Sequence, residues 1–215
     1  MSNKRGSIVF TDIKNSSRLW NKNPKAMFKA LEIHDNYFQE TVKKHKGLVV
    51  KTIGDSFMIY FPQLEDCVVF CLEVLTKFIY RPIVVDDIFI RVRIGSAYGN
   101  LKTKELKIQN CCLKDFFGNT VNTASRLESK VSTTNSLSIA FLHTKGQDMP
   151  VKIKKIIKDN GFLFKSVMKN NKVSVNKRSS SLLASECILE EKEDELKGIG
   201  KVKVWIIEPS VKEFR

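Results

Sequence analysis

The feature that most constrains the fold is a pair of short apolar segments separated by only two residues. The segments are LVVKTI (48–53) and SFMIYF (56–61), and only Gly54 and Asp55 lie between them. Both segments are rich in β-branched and aromatic side chains, which favour strands. Two such segments joined by a two-residue link that contains glycine are typical of a β-hairpin.

The segments around this hairpin predict the fold class. SIVFTD (7–12) is predicted to be a buried strand, and apolar residues at helical spacing predict a helix over 25–46, ended by Gly47. The other predicted elements are a helix over 63–80, a strand within 86–99, a helix over 118–130, a strand over 136–142, a helix over 150–161 and two closing strands around 198–200. The order β-α-β-β-α-β with additional C-terminal strands predicts an α+β, ferredoxin-like fold, with helices on one face of a mostly antiparallel sheet. The basic, Ser/Asn-rich segment 165–183 has no clear period and is predicted to be a flexible loop.

Charge and cysteine content indicate the cellular environment of the chain better than they indicate its function. The formal net charge is +14, and a positive field of this kind attracts nucleic acids, anionic membranes and phosphorylated small molecules. Lysine enrichment also arises from A/T-rich genomes, so the charge alone does not choose among these partners. Five cysteines, with no CxxC spacing, predict neither a disulfide framework nor a zinc site. No apolar segment is long enough to span a membrane and no signal peptide is evident, so we expect a cytoplasmic domain with reduced thiols.

Two aspartates follow predicted strands. Asp12 ends the first strand and Asp55 lies in the hairpin turn, so in a βαββ arrangement both carboxylates can converge at one sheet edge. Two carboxylates with few other protein ligands suit Mg²⁺, which keeps waters and takes phosphate oxygens. The alternative is that Asp12 caps the next segment and Asp55 is only a turn residue.

A third polar group lies in the predicted helix over 118–130. Asn122 and Arg126 are four residues apart and therefore share one helical face. An amide and a guanidinium on that face are suited to hold a sugar and a phosphate. The alternative is an exposed polar face without a ligand.

Four segments together resemble the successive signatures of the class III nucleotidyl cyclase catalytic domain, the adenylate/guanylate cyclase family. They are, in chain order, VFTDIKNSSRLW, VVKTIGDSFMIYF, RVRIGSAYG and DFFGNTVNTASRLES. The resemblance covers residues 7–130 and implies one catalytic domain over residues 1–215. It also implies a head-to-tail homodimer with the active sites at the subunit interface.

The resemblance assigns metal and phosphate ligands. Asp12, Asp55 and the Ile13 carbonyl would hold two Mg²⁺ or Mn²⁺ ions in each active site. The backbone amides from Ile13 to Ser17, including those of Ser16 and Ser17, would approach the triphosphate. Lys197 resembles the lysine that meets the terminal phosphates, with Lys201 and Lys203 as alternatives.

The resemblance also assigns the residues that read the nucleotide. Lys51 matches the family's purine-reading lysine and Asp115 matches its partner aspartate, a pair suited to adenine and so to ATP. Asn122 would orient the ribose, and Arg126 would stabilise charge on the α-phosphoryl group. The implied reaction converts ATP to 3′,5′-cyclic AMP and pyrophosphate.

Departures and alternatives remain at this point. Ser96, Ala97 and Tyr98 stand where relatives often have IHT. A cyclase that uses GTP or a pyrimidine nucleotide is one alternative, and a non-catalytic nucleotide- or nucleic-acid-binding module is another. The aromatic pattern of RNA-recognition domains is absent from VVKTIGDSF, so no nucleic-acid partner is expected. The chain is either a complete small cyclase or the catalytic part of a larger protein with a regulatory domain.

Overall fold

The computed structural model describes residues 2–108, 111–131, 137–142, 149–160, 163–166 and 186–210. The helices of this part are α1 (Ser16–Lys22), α2 (Pro24–Lys44), α3 (Leu64–Tyr80), α4 (Asn119–Lys130) and α5 (Met149–Asp159). The strands are β1 (Ser2–Ile13), β2 (Leu48–Ile53), β3 (Ser56–Phe61), β4 (Val84–Val85), β5 (Ile88–Phe89), β6 (Val92–Ile108), β7 (Cys111–Phe117), β8 (Leu137–Phe141), β9 (Leu163–Ser166), β10 (Glu186–Leu196) and β11 (Gly200–Ser210). Within the described residues, no helix combines the length and the apolar content that a membrane span requires.

One large mixed sheet organises the chain. Its strand order is β2-β3-β1-β6-β8-β11-β10-β9, and β7 pairs with β6 outside this path. Within this order, β2, β3, β1 and β6 pair antiparallel with one another and form the predicted ferredoxin-like βαββαβ core. This arrangement confirms the α+β fold class. β8 joins the core parallel to β6, and β11 and β10 extend the sheet antiparallel beyond it.

The β-hairpin predicted from residues 48–53 and 56–61 is present with the predicted boundaries. Ile53 of β2 pairs with Ser56 of β3, and Gly54 between them has a φ of +62°. β1 is longer than predicted because its polar N-terminal part pairs with the extended β6, from Ser2 opposite Thr103 onward. The backbone hydrogen bonds between β1 and β6 thus extend beyond the apolar segment from which β1 was predicted.

Helix α2 ends differently from the prediction. The residue in the left-handed conformation is Lys46, with a φ of 56°, and the N–H of Gly47 donates to the Val42 carbonyl at 2.8 Å. Glycine is required at position 47 for space, because a Cβ there would lie 2.6 Å from the ring of Phe61.

The two faces of the sheet carry different helices. Alternate residues of β1 point to opposite faces: Val9 belongs to the main core formed with α2, α3 and α5, whereas Ile8 packs with Ala124 of α4. The prediction that the helices lie on one face is therefore wrong for α4. Both faces of the central strands are buried, so their apolar pattern alone could not assign the helices to faces.

Gly95 in β6 is the residue that lets α4 approach the sheet. A Cβ at this position would lie 2.1 Å from the Glu128 backbone nitrogen and 2.5 Å from the Ala124 carbonyl oxygen. Contacts this short do not occur in proteins, so only glycine allows α4 its observed position.

The predicted flexible loop over 165–183 is wrong at its start. Lys165 and Ser166 belong to β9, which pairs in parallel with β10. The rest of that segment lies outside the described residues.

Candidate active site

The carboxylate end of the site is formed where β1 ends beside the β2–β3 turn. Thr11 pairs with Phe57, which places Asp12 next to the turn that carries Asp55. The hydroxyl of Ser56 donates to Asp12 Oδ1 at 2.8 Å. The structure therefore brings the regions of the two predicted aspartates together at one sheet edge.

A cation that the sequence analysis did not single out lies at this end. Arg93 stands opposite Asp12 in the β1–β6 register, and its Nη2 donates to Asp12 Oδ2. Its Nε lies 3.1 Å from Glu128 Oε1 of α4, although these two atoms are not aligned for a hydrogen bond. Burial lowers the pKa of Arg93, but the hydrogen bond with Asp12 and the surrounding carboxylates outweigh burial, so that its pKa lies above the ordinary value.

The carboxylates around Arg93 also affect Glu128. Burial raises the pKa of the Glu128 carboxyl, the charge of Arg93 lowers it, and the two aspartates raise it further, so that it lies above its ordinary value. The carboxyl groups of Asp12, Asp55 and Glu128 therefore all interact with the Arg93 guanidinium in this part of the site.

The residues at the carboxylate end fit a divalent metal. Asp55 Oδ2 is buried and has no hydrogen-bond partner among the described residues, and such an acceptor is stabilised by a ligand. Nowhere in the described residues do three or more His, Cys, Asp or Glu side chains group as a metal site. A metal here would therefore rely on Asp12, Asp55, a main-chain carbonyl such as that of Ile13, and substrate oxygens, which is the ligand set that Mg²⁺ prefers.

The predicted purine-reading pair is in direct contact. Lys51 Nζ on β2 lies 2.7 Å from Asp115 Oδ2 on β7, although 64 residues separate them in the chain. The second oxygen, Asp115 Oδ1, accepts from the Phe116 N–H at 2.8 Å, which fixes the orientation of the carboxylate. The Lys51 side chain is 43% exposed and that of Asp115 is 15% exposed, so the lysine is open to a ligand.

Helix α4 presents the predicted amide and guanidinium to solvent. Its buried side chains include Ala124 and Leu127, whereas Asn122 and Arg126 are exposed on the other side. Among the described residues, the side chains of Asn122 and Arg126 take part in no hydrogen bond or ion pair. Both groups are therefore available to a ligand or to a second chain.

The predicted phosphate ligands are less enclosed. Ser16 and Ser17 begin α1, and Ser17 is exposed; the neighbouring Lys14 N–H donates to the Arg91 carbonyl at 2.8 Å and is not available to phosphate. Lys197 is exposed in the turn between β10 and β11. Of the alternatives, Lys203 is paired with Glu191 at 3.3 Å, whereas Lys201 is exposed like Lys197.

Comparison with known protein families decides the identity of this arrangement. The family described as adenylate and guanylate cyclase catalytic domain matches residues 2–143. The chain belongs to this family. The match includes every predicted site residue except Lys197.

Curated relatives of this cyclase chain are larger proteins. The adenylate cyclase of Neurospora crassa is 32% identical over 141 residues, which are 57% of this chain and 6% of that protein. The adenylate cyclase of Schizosaccharomyces pombe is 30% identical over 141 residues, which are 57% of this chain and 8% of that protein. The chain thus spans less than a tenth of the length of these relatives.

Solved structures share the fold over nearly the whole chain. The guanylate cyclase domain of RhGC from Catenaria anguillulae in complex with GTP has a TM-score of 0.68 at 19% identity, covering 98% of this chain and 100% of that chain. Adenylate cyclases from Trypanosoma brucei in their monomeric state give a TM-score of 0.67 at 18% identity, covering 99% of this chain and 92% of that chain. At these identities the likeness establishes the cyclase fold.

Proposed function

We propose that the chain is an adenylate cyclase that converts ATP to 3′,5′-cyclic AMP and pyrophosphate at the interface of a head-to-tail homodimer. The observation that carries the choice of ATP is the contact between Lys51 and Asp115 at 2.7 Å. The Lys51 side chain is 43% exposed, so a purine ring can reach the pair from that side.

The chemistry of this pair suits adenine. A lysine ammonium donates to the ring N1, which accepts in adenine, and a carboxylate accepts from the exocyclic amine. Guanine has a donor at N1 and an acceptor at C6, so both hydrogen bonds would be lost. A hydrogen-bonding group that the bound base shields from water and leaves without a partner costs about 1 to 3 kcal/mol, which favours ATP over GTP.

The carboxylate end is proposed to hold two Mg²⁺ or Mn²⁺ ions through Asp12, Asp55 and the Ile13 carbonyl. The unpaired Asp55 Oδ2 supports this assignment because it is a buried acceptor. When bound, such ions lower the pKa of the ribose 3′-hydroxyl and neutralise charge on the attacking and leaving oxygens. The residues of the chain hold the 3′-oxygen and the α-phosphorus in position for in-line displacement.

The exposed polar groups supply the remaining contacts. Asn122 orients the ribose, and Arg126 stabilises the charge that develops on the α-phosphoryl group. The amides of Ser16 and Ser17 approach the triphosphate, and Lys197 binds the terminal phosphates that leave as pyrophosphate.

Exposed apolar side chains support a second copy of the chain as the partner. Four of them lie on the two strands that carry the Lys51–Asp115 pair, and each is at least 44% exposed. They are Leu48 and Ile53 on β2 and Leu113 and Phe117 on β7. A cluster of this kind is typical of a protein interface. In the proposed dimer, one copy provides Asp12 and Asp55, and the other provides the nucleotide-reading residues.

Two broader assignments complete the proposal. Residues 1–215 are taken as one catalytic domain, because β10 and β11 extend the same sheet as the core. A cytoplasmic location is supported by Cys67 and Cys71, which are both buried free thiols.

The test is product identification. The purified chain is incubated separately with ATP, GTP, CTP and UTP, with Mg²⁺ and then Mn²⁺, and the products are identified by mass. We expect cyclic AMP from ATP, and none from Asp55→Ala under the same conditions. Cyclic GMP as the main product would contradict the choice of ATP, and no cyclic product from a dimeric protein would contradict the proposed activity.

A further inference from the structure

The last residue of α4 reaches across to the end of β10. Lys130 Nζ donates to Asp194 Oδ1 at 2.7 Å and to the Glu195 carbonyl oxygen at 2.6 Å. One side chain thus contacts two consecutive residues among the last three of β10, just before the β10–β11 turn. Neither Lys130 nor Asp194 has a part in the proposed chemistry.

The turn that follows is short and is anchored at its base. Leu196 is 1% exposed and packs in the same buried cluster as Leu127 of α4. The Ile199 N–H donates to the Leu196 carbonyl at 2.9 Å, and Gly198 and Gly200 adopt positive φ angles of 77° and 93°. Because the turn is closed by this hydrogen bond, the position of Leu196 sets the position of Lys197, the residue that follows it.

The contacts of Lys130 contribute little to the free energy of folding. The side chains of Lys130 and Asp194 are 45% and 19% exposed, and ion pairs near the surface contribute at most about 1 kcal/mol to folding. The hydrogen bond from Lys130 lowers the pKa of the Asp194 carboxyl below its ordinary value. A pair with little effect on stability but with defined geometry is suited to set a relative position.

We propose that Lys130 and Asp194 are positioning residues, which hold the Lys197 turn at a fixed place relative to Asn122 and Arg126 on α4. The inference rests on the proposed function, because Lys197 is taken there to bind the terminal phosphates. Lys130 lies one helical turn beyond Arg126, so the clamp joins two parts of one nucleotide site. The distance between Lys197, which binds the leaving pyrophosphate, and Arg126, which binds the α-phosphoryl group, is then fixed.

The test compares Lys130→Met with Lys130→Arg, each in the wild-type and in the Lys197→Ala background. Lys130→Met is expected to lower kcat/KM for ATP about 10-fold, because a small displacement of a binding group has effects of this order. Lys130→Arg should retain most of the activity, since a guanidinium can donate to the same two acceptors. In the Lys197→Ala background, Lys130→Met should cause no further loss. Lys158→Met, at the last turn of α5, is the matched control and should change nothing.

Hydrogen exchange gives a second readout that does not depend on activity. Lys130→Met should accelerate exchange of the Ile199 amide about 10-fold, since local opening of the turn becomes easier. An equal loss of activity in both backgrounds, or unchanged exchange at Ile199, would overturn the proposal. If the wild-type chain forms no cyclic nucleotide, the proposed function fails, whereas the exchange experiment still decides whether Lys130 fixes the turn.

Discussion

The carboxylate end of the candidate site is held by the chain's own side chains, whereas the α4 end is left open. At the carboxylate end, Asp12 has two side-chain partners, Ser56 and Arg93. On α4, Asn122 and Arg126 are both exposed. The carboxylate end is therefore held by contacts within one chain, whereas the side chains at the α4 end are free to contact a ligand or a second chain.

This difference indicates what each end requires. Asp12 lies between two fixed donors, so its carboxylate is oriented before any ligand binds, and the cost of ordering it upon binding is small. The α4 side chains are exposed and, in the described part of the chain, have no such donors. In the proposed dimer, the site would therefore depend on assembly more at its α4 end than at its carboxylate end.

The largest expected effect is at the carboxylate end. Asp55→Asn should lower kcat by about 1,000-fold, because loss of a metal ligand removes several kcal/mol of charge stabilisation. Without metal, the melting temperature should hardly change, since Asp55 Oδ2 has no hydrogen-bond partner among the described residues. Mn²⁺ should raise the melting temperature of the wild-type chain but not that of the variant. An equal increase in both proteins would contradict Asp55 as a ligand.

The next effect concerns the contact that places α4 beside the carboxylates. Gly95→Ala should lower the free energy of unfolding by about 3 kcal/mol, because the added Cβ would overlap the backbone of α4. Urea denaturation followed by circular dichroism measures the change. Gly54→Ala is the control: nothing lies within 4 Å of its Cβ, so only the positive φ opposes it, at about 1 kcal/mol. Equal losses in the two variants would show that α4 is not packed on β6 as described.

Arg93 at the carboxylate end and Arg126 on α4 provide the third test of the comparison. Arg126→Ala should lower kcat about 100-fold with a change in unfolding free energy within about 0.5 kcal/mol, because its side chain is exposed. Arg93→Ala should cost about 1 to 2 kcal/mol of stability, since it leaves Asp12 and Glu128 as unpaired charges. A stability loss in Arg126→Ala as large as in Arg93→Ala would remove the distinction between the two ends.

Sequence reasoning predicted the β2–β3 hairpin and helices α2, α3 and α4 because their signals are local. The hairpin was predicted from two strand-forming segments joined by a two-residue link, and the helices from the spacing of their side chains. Lys51 and Asp115 were paired through the family resemblance, and the structure shows them in contact. Their meeting depends on β7 folding back toward β2, which no local pattern encodes.

The contacts missed by the sequence analysis all depend on long-range register. Arg93 meets Asp12 only because β1 and β6 pair with one particular alignment, across 81 residues of chain. The need for glycine at position 95 and the role of Lys130 arise from α4 packing on the second face of the sheet, which the uniformly apolar central strands did not specify. The nearest available signal was Arg93 itself, a charged residue in an otherwise apolar strand segment.

The smallest predicted effect concerns base choice. Lys51→Glu combined with Asp115→Cys should shift the ratio of ATP to GTP turnover by about 10-fold toward GTP, since the donor and acceptor pattern is reversed. Competition between the two nucleotides, with products separated by mass, measures this ratio. An unchanged preference for ATP would mean that the Lys51–Asp115 pair does not contact the base.

The central claim, that each active site takes its two ends from different copies, is tested most directly by mixing inactive variants. Asp55→Ala and Arg126→Ala should each retain at most about 1% of wild-type activity alone, and an equal mixture allowed to exchange subunits should recover about a quarter of it. Half of the dimers are then mixed, and each mixed dimer contains one complete site. The matched control, Asp12→Ala mixed with Asp55→Ala, should stay inactive because both changes affect the same end. Recovery only in the first mixture is the predicted result, whereas no recovery in mixed dimers detected by mass would contradict a site shared between two chains.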